Sequence, residues 1–268
     1  MLLEPSDPTS YLIEELNMDK AIAHIKKLNE EQKEVHYTMT HLLAHAVAWG
    51  MYKMRRDVGH LPFGTYRCSK EIGVTILVDV EGGKDLVPVT IMDGHNMTLK
   101  ELAQKILERV QRAKKGKDTE HNKGTALANF IPSFIAQPLG FIMTYIAATV
   151  GISLGPGLRK NSFGHIVVTN VGSLGLPMGF APLCPPVHQM ALMCFGKVQK
   201  RPIVDTNDGD KIKVANMCTA VGTGDHRYGD AAIFVPFFQT MRGYIEDPAN
   251  FDHTKYKENP RVDEKKQA

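Results

Sequence analysis

The sequence predicts an α+β fold in which a mixed β-sheet is flanked by helices. Three observations carry this expectation. Strand-like runs come in hairpins: Glu71–Val80 and Leu86–Ile91 are separated by Glu81-Gly-Gly-Lys, and the turn Asp205–Asp210 leads into a strand at Lys211–Ala220. Helical periodicity stands apart from these runs, at Asp19–Gln32, Thr38–Met54, Thr98–Lys115 and Ala231–Ile245. No strand–helix–strand alternation links the two kinds, which argues against a doubly wound parallel sheet.

Each element has its own justification. Asp19–Gln32 sets Ala21, Ile22, Ile25 and Leu28 at helical spacing with charges between them. Thr38–Met54 is apolar on nearly every side, which predicts a helix buried all round. Glu71–Val80 is β-branched and partly alternating. Thr98 followed by Glu101 is a capping-box pattern, and Leu99, Leu102, Ile106 and Val110 continue along one face. From Gly124 to Leu158 no residue is charged, and the apolar centre Leu139–Leu154 is flanked and interrupted by Pro132, Pro138 and several glycines. Strands resume at His165–Thr169 and Gln189–Phe195, with the glycine-rich turn Asn170–Gly175 between. The last helix aligns Phe234, Phe237, Phe238 and Met241, and the polar stretch 252–268 is expected to be a loose tail. Residues 1–268 read as a single domain with an apolar insert at about 124–160.

Composition narrows the function classes. The 268 residues are 43% hydrophobic and 23% charged, as in an ordinary globular protein. A net charge of +3, without a basic block interleaved with aromatics, gives no basis for nucleic-acid binding. Cys68, Cys184, Cys194 and Cys218 lack metal-type spacing and sit in apolar stretches, so buried reduced thiols are expected. Met1–Asp7 has neither a basic nor an apolar leader region, which points to the cytoplasm or an organelle matrix rather than secretion. His41 and His45 share the four-residue spacing of helical metal sites, but no third ligand accompanies them, and core histidines are expected.

The chemistry gathers at Asp225-His226-Arg227-Tyr228-Gly229-Asp230-Ala231, between a strand and a helix that ends Tyr244-Ile-Glu-Asp-Pro248. Upstream stand Val168-Thr-Asn-Val-Gly-Ser-Leu-Gly175, Ala181-Pro-Leu-Cys-Pro-Pro186 and Met190–Gly196. A third stretch runs from Asn17-Met-Asp-Lys-Ala to Leu99-Lys-Glu-Leu-Ala103. Together, over about residues 11–251, these segments resemble the catalytic domain of the 2-oxoacid dehydrogenase E2 acyltransferases, with its DHRxxDG signature.

The resemblance implies a chloramphenicol-acetyltransferase-like fold, a homotrimer, and acyl transfer between coenzyme A and a thiol (dihydrolipoyl-like) or hydroxyl acceptor. It implies His226 as general base, a near-neutral proton acceptor suited to that task. Asp230 corresponds to the family's structural carboxylate, and Thr169 to a serine whose hydroxyl hydrogen-bonds the oxyanion. Asn170, Gly172 and Ser173 are the expected coenzyme A contacts. Family active sites lie between subunits, so His226 and Thr169 are expected from different chains. Lipoylated proteins and 2-oxoacid dehydrogenase components are the implied partners, and no metal is implied.

The sequence departs from the pattern in several places. It shows no lipoyl module, so no covalent lipoyl group is expected on this chain. The segment that carries an arginine toward the family aspartate is nearly absent, and the glycine after that aspartate is Ala231. Its last residues are not the apolar anchor that joins trimers into larger shells, which predicts isolated trimers. The insert reads either as a hairpin packed on the core or as a helix pair lying on a membrane surface or joining subunits. The competing function is a catalytically inactive E2-like assembly subunit.

Overall fold

A computed structural model describes residues 8–62, 65–79, 86–114, 132–150, 163–183, 189–206 and 208–254. One seven-stranded sheet takes strands from both ends of this span. Its strands are β1 (Thr9–Asn17), β4 (Gly73–Asp79), β5 (Leu86–Met92), β6 (Ile166–Asn170), β7 (Ala191–Phe195), β8 (Gln199–Asp205) and β9 (Lys211–Asp225). Their spatial order is β1-β9-β7-β6-β4-β5, with β8 also paired to β9. The pairs β4–β6 and β6–β7 are parallel and the others antiparallel, so the sheet is mixed as expected. Strands β2 (Gly59–His60) and β3 (Arg67–Cys68) form a separate two-stranded ribbon.

The helices are α1 (Asp19–Glu31), α2 (Met39–Lys53), α3 (Leu99–Lys114), α4 (Ser133–Val150) and α5 (Ala231–Glu246). Helix α2 explains its own composition: every residue from His41 to Met51 is buried, because sheet and helices enclose it. Its Leu42, Ala46 and Trp49 pack with Val168, Met193 and Ala220 of the sheet and with Phe237 and Met241 of α5. Helix α3 covers β5 through Leu102, Ile106 and Val110. Its start shows the expected capping box, with Thr98 N–H donating to Glu101 Oε2 at 2.7 Å and Glu101 N–H to Thr98 Oγ1 at 3.2 Å.

The opposite sheet face is covered differently. Val167, Leu192, Cys194 and Val221 meet Val171, Ala181 and Leu183 of a segment that opens with a short 3₁₀ turn (Val171–Leu174) and contains no α-helix among the described residues. Around it Tyr11, Ile13, Leu174, Leu176, Met178 and Phe180 remain exposed.

Five expectations need correction. Cys68 is exposed rather than buried. Strand β1 was not anticipated, because Leu12-Ile-Glu-Glu-Leu16 carries no clean alternation; pairing with β9, rather than propensity, makes it a strand. The short ribbon β2–β3 is likewise a tertiary product. Strand β9 continues to Asp225 instead of ending at Ala220, because β1 and β7 bracket that half of it. The expected loose tail is docked at its beginning: the His253 ring lies 5.0 Å from that of Trp49. Of the insert, the described part is the helix α4, Ser133–Val150. The rest of 124–160, Cys184, and the tail beyond 254 lie outside the described residues. Among the described residues no helix is long and apolar enough to cross a membrane.

Candidate functional site

His226 sits where β9 hands over to α5, and the chain around it is tightly specified. Its N–H donates to Pro8 O at 2.9 Å, so the strand β1 edge holds the histidine main chain. Tyr228 N–H donates to Asp225 O and Gly229 N–H to His226 O, closing a turn. Gly229 has φ +152°, and a Cβ there would meet Ile233 Cδ1 at 2.1 Å. Tyr228 is buried and drives the turn into the core.

Beside His226 lies a pair to which the sequence reading gave no role. Asp225 is buried, and Arg227 folds back onto it, with Nε 3.0 and 3.1 Å from the two carboxylate oxygens and Nη2 2.6 Å from Oδ2. Arg227 N–H also donates to Asp225 Oδ1 at 2.9 Å. A bidentate fork of this kind is the strong form of an ion pair. The Asp-x-Arg spacing was visible in the sequence, but which neighbour the arginine takes is decided only by the turn.

Asp230 is the N-cap of α5 and its carboxylate is 82% exposed. Oδ1 stands 3.8 Å from His226 Nε2, and no arginine pairs with it among the described residues. The histidine side chain is itself 59% exposed. Ala231 is the first helical residue, where the backbone makes no demand for glycine.

Thr169, Asn170, Gly172 and Ser173 form a second cluster at the end of β6. Asn170 Nδ2 donates to Thr40 Oγ1 at 3.1 Å, and Ser173 Oγ donates to Asn170 O at 2.7 Å. Gly172 is required by close approach: a Cβ would lie 2.5 Å from Gly196 O. Asn170, Gly172 and Ser173 line a pocket of about 200 Å³ with Met18, Met39, Leu43, Lys197 and Cys218. Lys197 carries the only charge on that lining. Burial pushes the Cys218 thiol up to about 11, and its Sγ donates to Gly196 O, so it is a structural thiol rather than a nucleophile.

The register shows how the two clusters relate. Thr169 is level with Cys194, and Cys194 with Val221 of β9. His226 lies five residues further along, about 17 Å at the rise of an extended chain. One chain therefore brings His226 together with Asp230 and brings Thr169 together with Asn170–Ser173, but it does not bring the two groups together.

His41, His45 and His165 are absorbed by the core. His41 Nδ1 accepts from Thr38 N–H at 3.2 Å, filling the place a glutamate takes in a capping box. His45 contacts Tyr244 OH at 2.7 Å and Met97 O at 3.0 Å. His165 Nδ1 accepts from Gly73 N–H, and its Nε2 lies 3.1 Å from His60 Nε2. Among the described residues no group of three His, Cys, Asp or Glu is placed to hold a metal ion.

Comparison with known proteins bears on this arrangement. The family described as 2-oxoacid dehydrogenases acyltransferase (catalytic domain) matches residues 3–126 and 159–251. Dihydrolipoyllysine-residue acetyltransferase components 3 and 2 of the mitochondrial pyruvate dehydrogenase complex of Arabidopsis thaliana are 34% and 32% identical over 80 residues. That match spans 29% of this chain and 15% of the plant proteins. Among solved structures, a probable dihydrolipoamide acetyltransferase of Listeria monocytogenes superposes with a TM-score of 0.67 at 16% identity, over 91% of this chain and 86% of that one. The dihydrolipoamide acetyltransferase of Azotobacter vinelandii gives 0.65 at 16% identity, over 91% and 83%. The fold shared with these proteins is the chloramphenicol-acetyltransferase-like one expected from the sequence. With its mixed sheet, its His226 turn and a family match over most of its length, the chain belongs to the acyltransferase catalytic-domain family of the 2-oxoacid dehydrogenases.

Proposed function

We propose that the chain transfers an acyl group between coenzyme A and a thiol acceptor of dihydrolipoyl type, with His226 as general base at an interface between subunits of a homotrimer. The observation that carries this reading is the presentation of His226: its main chain is clamped by Pro8 and by the Asp225–Arg227 fork, while its imidazole stays exposed. A fixed backbone under an exposed imidazole is what general-base catalysis asks for. The Azotobacter vinelandii enzyme has been studied for the roles of a serine, a histidine and an asparagine in catalysis, the last two being four residues apart. His226 and Asp230 have that same spacing.

In this reading the acceptor S–H gives its proton to His226 as its sulfur bonds to the thioester carbonyl carbon. The resulting oxyanion takes a hydrogen bond from Thr169 Oγ of a neighbouring subunit. Collapse breaks the bond to the coenzyme A sulfur, which recovers the proton from His226. The pocket beside Asn170, Gly172 and Ser173, with Lys197 on its wall, would take the coenzyme A end. Lipoylated proteins of 2-oxoacid dehydrogenase complexes are the acceptors that fit this chemistry.

One observation favours a second reading, an inactive assembly subunit: Asp230 lacks an arginine partner among the described residues. Coenzyme A-thioester exchange with free dihydrolipoamide separates the two. Catalysis predicts that His226→Ala lowers turnover by about 10²–10⁴-fold. An inert wild type that also fails to bind coenzyme A would leave the assembly role as the better account.

A further inference from the structure

The family match stops at residue 126 and resumes at 159, and α4 is the described part of the segment between. That segment, 127–158, contains no charged residue. Helix α4 exposes five large apolar side chains. Ile135, Leu139, Phe141, Ile142 and Ile146 are between 38% and 54% exposed, whereas Ala147 is 3% exposed. At 3.6 residues per turn these five span an arc of about 160°. A helix on a globular surface points such an arc at the core. Here no described helix or strand packs along it, and it joins none of the hydrophobic clusters.

Charge in the sequence selects what covers this face. Between Arg112 and Lys160 lie seven basic residues (Arg112, Lys114, Lys115, Lys117, Lys123, Arg159 and Lys160) and two acidic ones (Asp118 and Glu120), all outside 124–158. That surplus exceeds the +3 of the whole chain, so the remainder is net acidic. An apolar segment flanked by cations along the sequence matches a surface that is apolar within and anionic at its rim, which is an anionic lipid bilayer. A second copy of the same helix would instead bring like charges together. Among the described residues no helix is long and apolar enough to cross a bilayer, and α4 carries Pro138 in its interior.

We propose that α4 is a membrane-surface helix, which inserts Phe141, Ile142 and Ile146 among the acyl chains of an anionic bilayer and leaves the acyltransferase fold on the aqueous side. This inference is independent of whether the site is catalytic. The test is flotation of the full chain with phosphatidylcholine vesicles, with and without phosphatidylglycerol, at low and at molar salt. The expected result is several-fold enrichment on the phosphatidylglycerol vesicles, largely lost at high salt. The double variant Phe141→Asp/Ile142→Asp should bind about tenfold less while its melting temperature is kept. Leu139→Asp provides a second variant on the same arc. A wild type that does not float with anionic vesicles overturns the proposal, as does a variant that floats equally well. A particle mass in solution that falls in the variant, with no vesicle binding by wild type, overturns it too and makes α4 a contact between copies.

Discussion

Four hydrogen bonds lock Arg227 to Asp225, two residues apart, and the residue held between them is His226. Removing the guanidinium leaves a buried carboxylate with only the main-chain N–H of residue 227 of these four hydrogen bonds. Arg227→Ala should therefore cost about 1–3 kcal/mol in denaturant unfolding. Lysine restores the charge but not the fork, so Arg227→Lys should recover only part of that loss. If both variants unfold like wild type, the pair is not what fixes this turn.

The separation of Thr169 from His226 along the sheet makes a different prediction. Thr169→Ala and His226→Ala chains should each be nearly inactive, yet random mixed trimers should recover about a quarter of wild-type activity, since that share of interfaces pairs an intact histidine with an intact threonine. Co-expression followed by assay of the mixed oligomer measures this. Recovery near zero would mean that the two residues do not meet across an interface between chains.

Stability should fall in mild acid. Burial, with His60 adding its charge, holds His165 down at about 3, and burial holds His41 and His45 down at about 4. All three lie below the ordinary 6.5 of an unfolded histidine, so below that pH the unfolded chain binds protons that the folded chain refuses. Their stabilisation is complete above about pH 6.5 and is lost progressively as pH drops toward 4, by about 1.4 kcal/mol per pH unit for each fully engaged histidine. Urea unfolding at about pH 7.5 and about pH 5.5 should show a clear drop, with His165→Asn giving a shallower slope. A flat profile would contradict the burial of these rings.

Much of this was legible beforehand, and the residues show why. Helix boundaries were readable because caps and apolar faces are local: Thr98 and Glu101 define a start wherever the chain folds. The motif around His226 was readable because its residues are contiguous. What stayed hidden was whatever depends on a distant partner. Strand β1 exists through its pairing with β9, the arginine of the site turned out to be Arg227 clasping Asp225, and His253 packs on Trp49 across the fold. The direction of α4's exposed arc was equally invisible, since apolar periodicity does not say which side faces water.

Gly172 offers a test of the pocket wall. Its missing side chain lets the turn after β6 rest on the main chain at Gly196 and Lys197, where a methyl would meet backbone atoms at 2.5–2.8 Å. Backbone cannot swing aside as a side chain can. Gly172→Ala should cost about 1–3 kcal/mol in denaturant unfolding and should raise the KM for acyl-CoA more than it lowers kcat. An unchanged unfolding midpoint would show that the turn yields freely.

The pairing of β1 with β9 also sets a schedule. Ser10 and Gly224, hydrogen-bonded in the finished sheet, are 214 positions apart in the chain. At ordinary translation speeds of 5–20 residues per second, about 10–40 s pass between the synthesis of one partner and the other. During that interval Tyr11 and Ile13 belong to no sheet, and Pro8 has no histidine N–H to accept. A ribosome stalled before Asp225 would thus carry an orphan strand and a helix α2 still lacking α5, with the edge that should hold His226 waiting for it.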